Sequence, residues 1–320
     1  MKQFDSSKQR GIALITILVM VALATILAAT IAKRQAATSE STAYLMRQNQ
    51  SLMYAKSAEA FFSELLLDDA ENAAESDHLQ ETWAQPMPPF PVEDGYVAGQ
   101  LVDESGKFNL NSLVKENGEV NETAKQWFEL ILKRAGLPEQ LSEAVIDWQD
   151  VDETPIGAMG AESSYYQGLP NAALPPNSPF HDVEELKLIR GFEDNKYKLI
   201  ANDVTASPLK EAKVNINTAS ANLLASLDEQ LEPQRIQKVL DQRAANNQYF
   251  SNVSELWEIE PFNQVDASKR ALFNDQLGVQ SSVFKARIEV MLSERRRQLT
   301  SQLVRQDKHV YVAYRSMAPF

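Results

Sequence analysis

The feature that most constrains this chain is residues 12–31, IALITILVMVALATILAATI, twenty residues without a charge, a Pro or a Gly. At 1.5 Å of rise per residue a helical run of this length crosses a hydrocarbon core of about 30 Å, and in lipid only a helix satisfies its own backbone. Residues 12–31 are therefore predicted to be a single membrane-spanning helix. The alternative is a removable signal peptide, whose apolar region is about 7 to 15 residues long and ends at a small-residue cleavage site. Here the run is longer and leads into more helix. Lys8 and Arg10 before it favour a cytoplasmic amino terminus, although Lys33 and Arg34 beyond it weaken the asymmetry.

No Gly or Pro occurs between Gly11 and Pro86, and apolar residues recur at Leu45, Leu52, Ala55, Ala58, Phe62 and Leu65. That spacing predicts one helix over residues 12–67, about 80 Å long, whose second half must pack its apolar stripe on a sheet or another helix. Residues 68–91 are polar, then Pro-rich, and read as a loop. GYVAGQLVD (95–103) alternates as a strand. Helices are expected over 121–135, 139–148, 183–189, 219–226, 233–246 and 253–259, separated by a long irregular stretch at 150–179. The period then changes: SSVFKARIEVML, RRRQLTSQLVRQ and HVYVAYRSM read as three antiparallel strands.

Strand signals on both sides of a helical block predict an α+β chain: a long amino-terminal helix packed on an antiparallel sheet, with an all-α domain inserted. The boundaries are a leader at 1–11, the membrane half of the helix at 12–31, the rest of the helix, a loop and the first strand at 32–104, the insertion at 105–278 and the last strands at 279–320.

A basic leader ending in Gly11, then an apolar stretch that grows into a long helix, resembles the type IV pilin and type II secretion pseudopilin class. In that class a prepilin peptidase cuts after the Gly and methylates the new terminus, which implies cleavage between Gly11 and Ile12 and N-methylation of Ile12. Most members carry a Glu five residues into the mature chain, where this sequence has Thr16. Lack of that Glu, together with VDESGKFNLNSL, IDWQDVDE, GAESSYY, the Glu184-to-Gly191 stretch, VNINTAS and SSVF in this order, is similar to the minor pseudopilin K family of type II secretion. The resemblance covers nearly the whole chain. It implies a subunit at the tip of a periplasmic pseudopilus used to export folded proteins, anchored in the inner membrane with its bulk in the periplasm. The implied partners are minor pseudopilins of the I and J types, the prepilin peptidase and secreted proteins.

Asp147, Asp150, Asp152 and Glu153, with Glu162 behind them, form the densest acidic loop. Carboxylates at alternate positions on a flexible loop suit a hard cation such as calcium, and equally suit a solvated loop. The loop is not an EF-hand: the sixth place from Asp150 is Pro155, and Glu162 falls one place late. The K-family resemblance implies calcium here, with Asp150, Asp152 and Glu162 as ligands and Asp147 a further candidate.

A net charge of −13 argues against a nucleic-acid surface. The VNINTASANLLASL stretch resembles a helix-hairpin-helix unit, but its hairpin, DEQLEP, has three acids and no Gly to hold a phosphate. Asn217 and Thr218 there read as helix caps. Arg295, Arg296 and Arg297 read as the wet end of a β-turn, and the four Trp as core. Without Cys, with three scattered His and no hydrolase or P-loop motif, the chain is not expected to be an enzyme. An exoprotein-binding module and a DNA-binding competence pseudopilin are the competing functions, the second disfavoured by charge.

Overall fold

The computed structural model describes residues 6–72 and 76–317, with side chains in the first helix from residue 12 onward. The predicted leader thus lies outside the described residues except for the helical backbone at 6–11. The chain divides into two compact units, Met1–Tyr54 and Ala55–Phe320.

Helix α1 (Ser6–Asn72) supplies the described part of the first unit and ends five residues beyond its expected end near Leu67. It is the one helix long and apolar enough to cross a membrane among the described residues. From Ile12 to Ile31 its large apolar side chains are exposed, as lipid contact requires. Its hydroxyls do not need outside partners. Thr16 Oγ1 donates to the carbonyls of Ile12 (3.0 Å) and Ala13 (2.9 Å), and Thr25 and Thr30 each donate to the carbonyl one turn back.

The second unit contains the remaining elements, which follow α1 in the order β1 (Phe90–Val92), β2 (Gly95–Asp103), β3 (Phe108–Asn109), α2 (Glu122–Arg134), α3 (Leu141–Asp147) and α4 (Ser163–Gln167). Then come β4 (Val204–Thr205), β5 (Val214–Asn215), α5 (Ala221–Ala225), α6 (Pro233–Ala245), α7 (Val253–Glu258), α8 (Ala267–Asn274), β6 (Leu277–Gly278), β7 (Val283–Leu292), β8 (Arg295–Gln306) and β9 (His309–Ser316). Five strands form one antiparallel sheet in the order β1-β2-β7-β8-β9. The first strand and the three carboxyl-terminal strands therefore pair as their alternation predicts, with the helical block entering after β2 and leaving before β7.

Alternation along β7 buries Phe284, Ala286, Ile288 and Val290 and leaves Lys285, Arg287 and Glu289 on the opposite face. The buried face meets the last turns of α1, where Ala55, Phe62 and Leu66 are enclosed. Glu59 on the same helix face is buried too, and it accepts from both Arg315 nitrogens (2.8 and 2.7 Å) and from the Ser301 hydroxyl. Those three donors satisfy a carboxylate that burial alone would disfavour. Close approach of helix and sheet depends on Gly99, since a Cβ there would lie 2.7 Å from the Phe62 ring. Gly99→Val is expected to cost about 1–3 kcal/mol through overpacking, read as a lower urea midpoint with an unchanged slope. An unaltered midpoint would show that Phe62 moves aside freely.

The inserted block packs α2, α3 and α5 around Phe108, Trp127, Phe128, Leu132 and Leu224, all essentially inaccessible. Asn121 caps α2 by accepting from Ala124 N (3.3 Å), and Gly136 follows the helix at φ +73°. All four Trp are buried. Several local features differ from the sequence reading. The block holds two short parallel ladders, β3 with β4 and β5 with β6, besides its helices. The stretch 150–179 contains α4, and the 68–91 loop contains β1 and a 3-10 turn at Thr82–Ala84, whose Trp83 packs edge-on against Phe284. Asn217 and Thr218 are not caps: Asn217 pairs with the Phe250 backbone (2.7 and 3.0 Å), Thr218 donates to Asp103, and Ser220 caps α5.

Both ends of the insertion meet at one place. Ser105 Oγ accepts from the backbone N–H of Ser282 (2.9 Å) and Val283 (3.0 Å), while Glu104 N donates to the Val283 carbonyl (2.9 Å).

Candidate metal centre

The site forms where α3 runs out. The helix is buried on nearly every side, Glu143 alone being part-exposed, and its last residue, Asp147, is fully buried. The chain then turns back, because the Asp147 carboxylate accepts the backbone N–H of Ile156 (3.2 Å) and Ala161 (2.7 Å). One turn earlier Glu143 accepts from Met159 N (2.7 Å), so two carboxylates four residues apart hold the returning loop. Gly160 fits between Asp147 and the loop backbone. A Cβ there would lie 2.5 Å from Asp147 Oδ2 and 2.4 Å from the Ile156 carbonyl. Arg190 holds the same turn from outside, donating to the Gly160 carbonyl (3.0 Å) with its guanidinium 4.9 Å from the Tyr165 ring centre.

This fold-back brings Glu162, at the start of α4, to Asp147 and Asp150. The three offer carboxylate oxygens that lie within 4.8 Å of one another, and all three residues are buried. Asp150 Oδ1 and both oxygens of Glu162 are inaccessible and have no hydrogen-bond partner among the described residues. Buried acceptors of this kind are costly unless something satisfies them. Burial first, and then the neighbouring carboxylates, push Asp150 and Glu162 up to about 7. Burial likewise raises Asp147 to about 6, against the two backbone N–H donors that lower it. Three enclosed acids in one another's field lack a positive charge.

An all-oxygen donor set of this kind fits a hard divalent cation, and calcium takes 6–8 oxygens at about 2.3–2.6 Å from flexible loops. Asp147, Asp150 and Glu162 would be the protein's carboxylate ligands. Asp152 is outside the group: it is exposed and its Oδ1 accepts from Thr154 N (2.7 Å). Glu153 is also exposed and fixes the loop through the Ser163 hydroxyl (2.7 Å). Glu143 and Arg190 support the site without having been singled out in the sequence. Only Glu143 had a usable signal, its spacing of four from Asp147 on one helix.

A second acidic group, Asp69, Asp77 and Glu81, differs in kind. Arg305 lies among these carboxylates, pairing with Asp69 (2.7 Å) and Asp77, and Glu81 accepts from His78 N (3.0 Å) and Trp83 Nε1 (2.7 Å). Its charge is already compensated.

Family models described as type II secretion system protein K match residues 106–209 and 214–280, which together span the insertion. The chain is 33% identical to the type II secretion system protein K of Pseudomonas aeruginosa, over 97% of this chain and 93% of that one. It is 31% identical to the protein of the same name from Klebsiella pneumoniae, covering 96% of each. The fold is similar to a chain of the crystal structure of the GspK-GspI-GspJ complex from enterotoxigenic Escherichia coli, with a TM-score of 0.78, 24% identity and coverage of 87% of this chain and 99% of that one. A long amino-terminal helix, an antiparallel sheet and an inserted helical block matched by both family models place this chain in the type II secretion system protein K family.

Proposed function

We propose that this chain is the minor pseudopilin that caps the tip of a type II secretion pseudopilus, with one calcium ion bound in its inserted domain. It is a structural subunit, not an enzyme. The observation that carries the tip position is Thr16. Its hydroxyl is bonded to the carbonyls of Ile12 and Ala13 in its own helix, and no carboxylate accompanies it anywhere from residue 12 to 31. A subunit stacked above would bring its terminal ammonium into lipid with no counter-charge from this chain, and an uncompensated charge there costs several kcal/mol. A place with no subunit above avoids that cost. Similarity to a member of a GspK-GspI-GspJ complex supports I- and J-type minor pseudopilins as partners.

Cysteines introduced singly at the exposed positions Leu45, Met53 and Phe61 test the position in cells carrying the other minor pseudopilins. Cross-links to those partners are expected. Abundant self-pairs at a regular register would identify a shaft subunit and remove the tip assignment.

Anchoring follows from the same helix: a single span in the inner membrane, amino terminus in the cytoplasm, bulk in the periplasm. Processing by a prepilin peptidase between Gly11 and Ile12, with N-methylation of Ile12, rests on the basic leader and the abrupt switch to an uncharged run. Amino-terminal sequencing of protein from a cell with the peptidase is expected to begin at Ile12. A chain starting near Ile31 would mean an ordinary signal peptide.

A further inference from the structure

The sheet face opposite α1 is wet and carries a feature that the metal site and the membrane helix leave unused. The strand register sets Gln100, Arg287 and Thr300 in one row across β2, β7 and β8, with Ala98, Glu289 and Gln298 in the next row. These residues line a groove of about 560 Å³, rimmed by Pro86 and Met87. Arg296 reaches into it and pairs with Glu289. Gln100, Arg287, Gln298 and Thr300 make no side-chain hydrogen bond or ion pair with any described residue.

Charge gives the groove its direction. The chain as a whole is at −13, yet the groove is lined by Arg287 and Arg296 with Glu289 as the one acid in its lining. Lys285 is partly answered by buried Glu104 at 3.8 Å. Arg287, in the middle of the central strand, is answered by no described residue. Several arginines of the folded unit are engaged, Arg134, Arg190 and Arg270 with backbone carbonyls and Arg305 and Arg315 with carboxylates, whereas Arg235 and Arg297 share with Arg287 the lack of a side-chain partner among the described residues. A planar guanidinium flanked by two amides and a hydroxyl matches the acceptor pattern of a carboxylate. Backbone N–H groups of β2, β7 and β8 are taken up by the ladders, so the groove has no nest of amides of the kind that holds phosphate. It extends over three strands, with an apolar rim at Met87, which suits a length of polypeptide better than a lone ion.

We infer that this groove docks an acidic segment of a partner protein, with a Glu or Asp carboxylate seated on Arg287 between Gln100 and Thr300. The inference is independent of calcium and of position in the pseudopilus.

The test uses the full-length chain in nonionic detergent and a fluorescein-labelled Glu-Gly repeat peptide followed by anisotropy. Saturable binding is expected, weakened about tenfold by Arg287→Glu, in line with the strength of a charge-assisted pair, and weakened by added salt. A Lys-Gly peptide is expected not to bind. Because Arg287 is exposed and unpaired, the melting temperature of Arg287→Glu should match the parent, which separates lost docking from lost fold. Asp150→Asn with Glu162→Gln should bind the peptide as the parent does. Equal binding by Arg287→Glu, or loss of binding in the metal-site variant, would overturn the assignment. Displacement of the peptide by equimolar inorganic phosphate would reassign the groove to a small anion and overturn it as well.

Discussion

Adding a chelator to the full-length chain in detergent is expected to lower its melting temperature by about 5–10 °C. An ion that binds only the folded state at a hundredfold excess over its Kd contributes about 2.7 kcal/mol, and each kcal/mol moves a domain of this size by about 2–4 °C. Asp150→Asn together with Glu162→Gln should abolish the response to chelator. In chelator this variant should melt no lower than the parent, because the parent then keeps three buried acids in one another's field without a cation. The pH dependence of the chelated parent has a defined sign. Burial raises Asp147 to about 6 and Asp150 and Glu162 to about 7, so the folded state holds more protons than the unfolded one from about pH 4 to 7. Stability from these groups is present at the low end of that window and is lost as pH rises through 7. The stabilisation by calcium should therefore be larger at pH 8 than at pH 5.5. Trp148 directly follows Asp147, and its ring centre is 5.4 Å from that of Tyr166, so terbium in the site should show sensitised luminescence that calcium displaces. Chelator-insensitive melting in the parent, or terbium emission unchanged in the double variant, would sink the calcium reading.

The sequence was legible where one local period decides the outcome. GYVAGQLVD becomes β2 at its expected ends, and β7 keeps one face buried along its length, while β8 is buried on both faces from Ser301 to Val304. The membrane helix is legible from its length and lack of charge. What failed to show is set by contacts distant in sequence. The two-residue ladders pair residues 96 and 63 positions apart and are too short to leave a periodic trace. Asn217 has the look of a cap, yet the Phe250 backbone, 33 positions away, takes its amide. The acidic loop shows the limit most clearly. Counting along the chain treats Asp152 as an equal of Asp150, but the loop reverses at Gly160, so Asp147 and Glu162 close around Asp150 while Asp152 faces water.

The second large effect is expected at Arg305. Only 9% of its side chain is exposed, and its guanidinium donates to Asp69 at the end of α1 (2.7 Å), to Asp77, and to the Ser281 carbonyl (2.8 Å). Asp77 continues the connection. It donates through its N–H to the Val279 carbonyl (2.8 Å), accepts from Ser281 N (2.6 Å), and its own carbonyl receives the Asn215 amide (3.0 Å). One arginine thus joins helix, sheet and the exit of the insertion. Arg305→Met keeps the apolar stem against Phe284 but strands two enclosed carboxylates, and breaking a buried pair from one side costs about 3–5 kcal/mol. The sign with pH follows from Asp69, which burial raises to about 6 even with the arginine present. Its proton is held more firmly folded than unfolded, so stability from this group is lost as pH climbs from about 4 through 6. Without Arg305 the opposing pull disappears and the loss steepens. Urea unfolding of Arg305→Met should therefore show a smaller deficit at pH 5 than at pH 7.5, and Asp69→Asn added to it should recover part of the deficit at pH 7.5. A deficit under about 1 kcal/mol, the value of a surface pair, would show that water reaches these groups and that the arginine does not hold the three parts together.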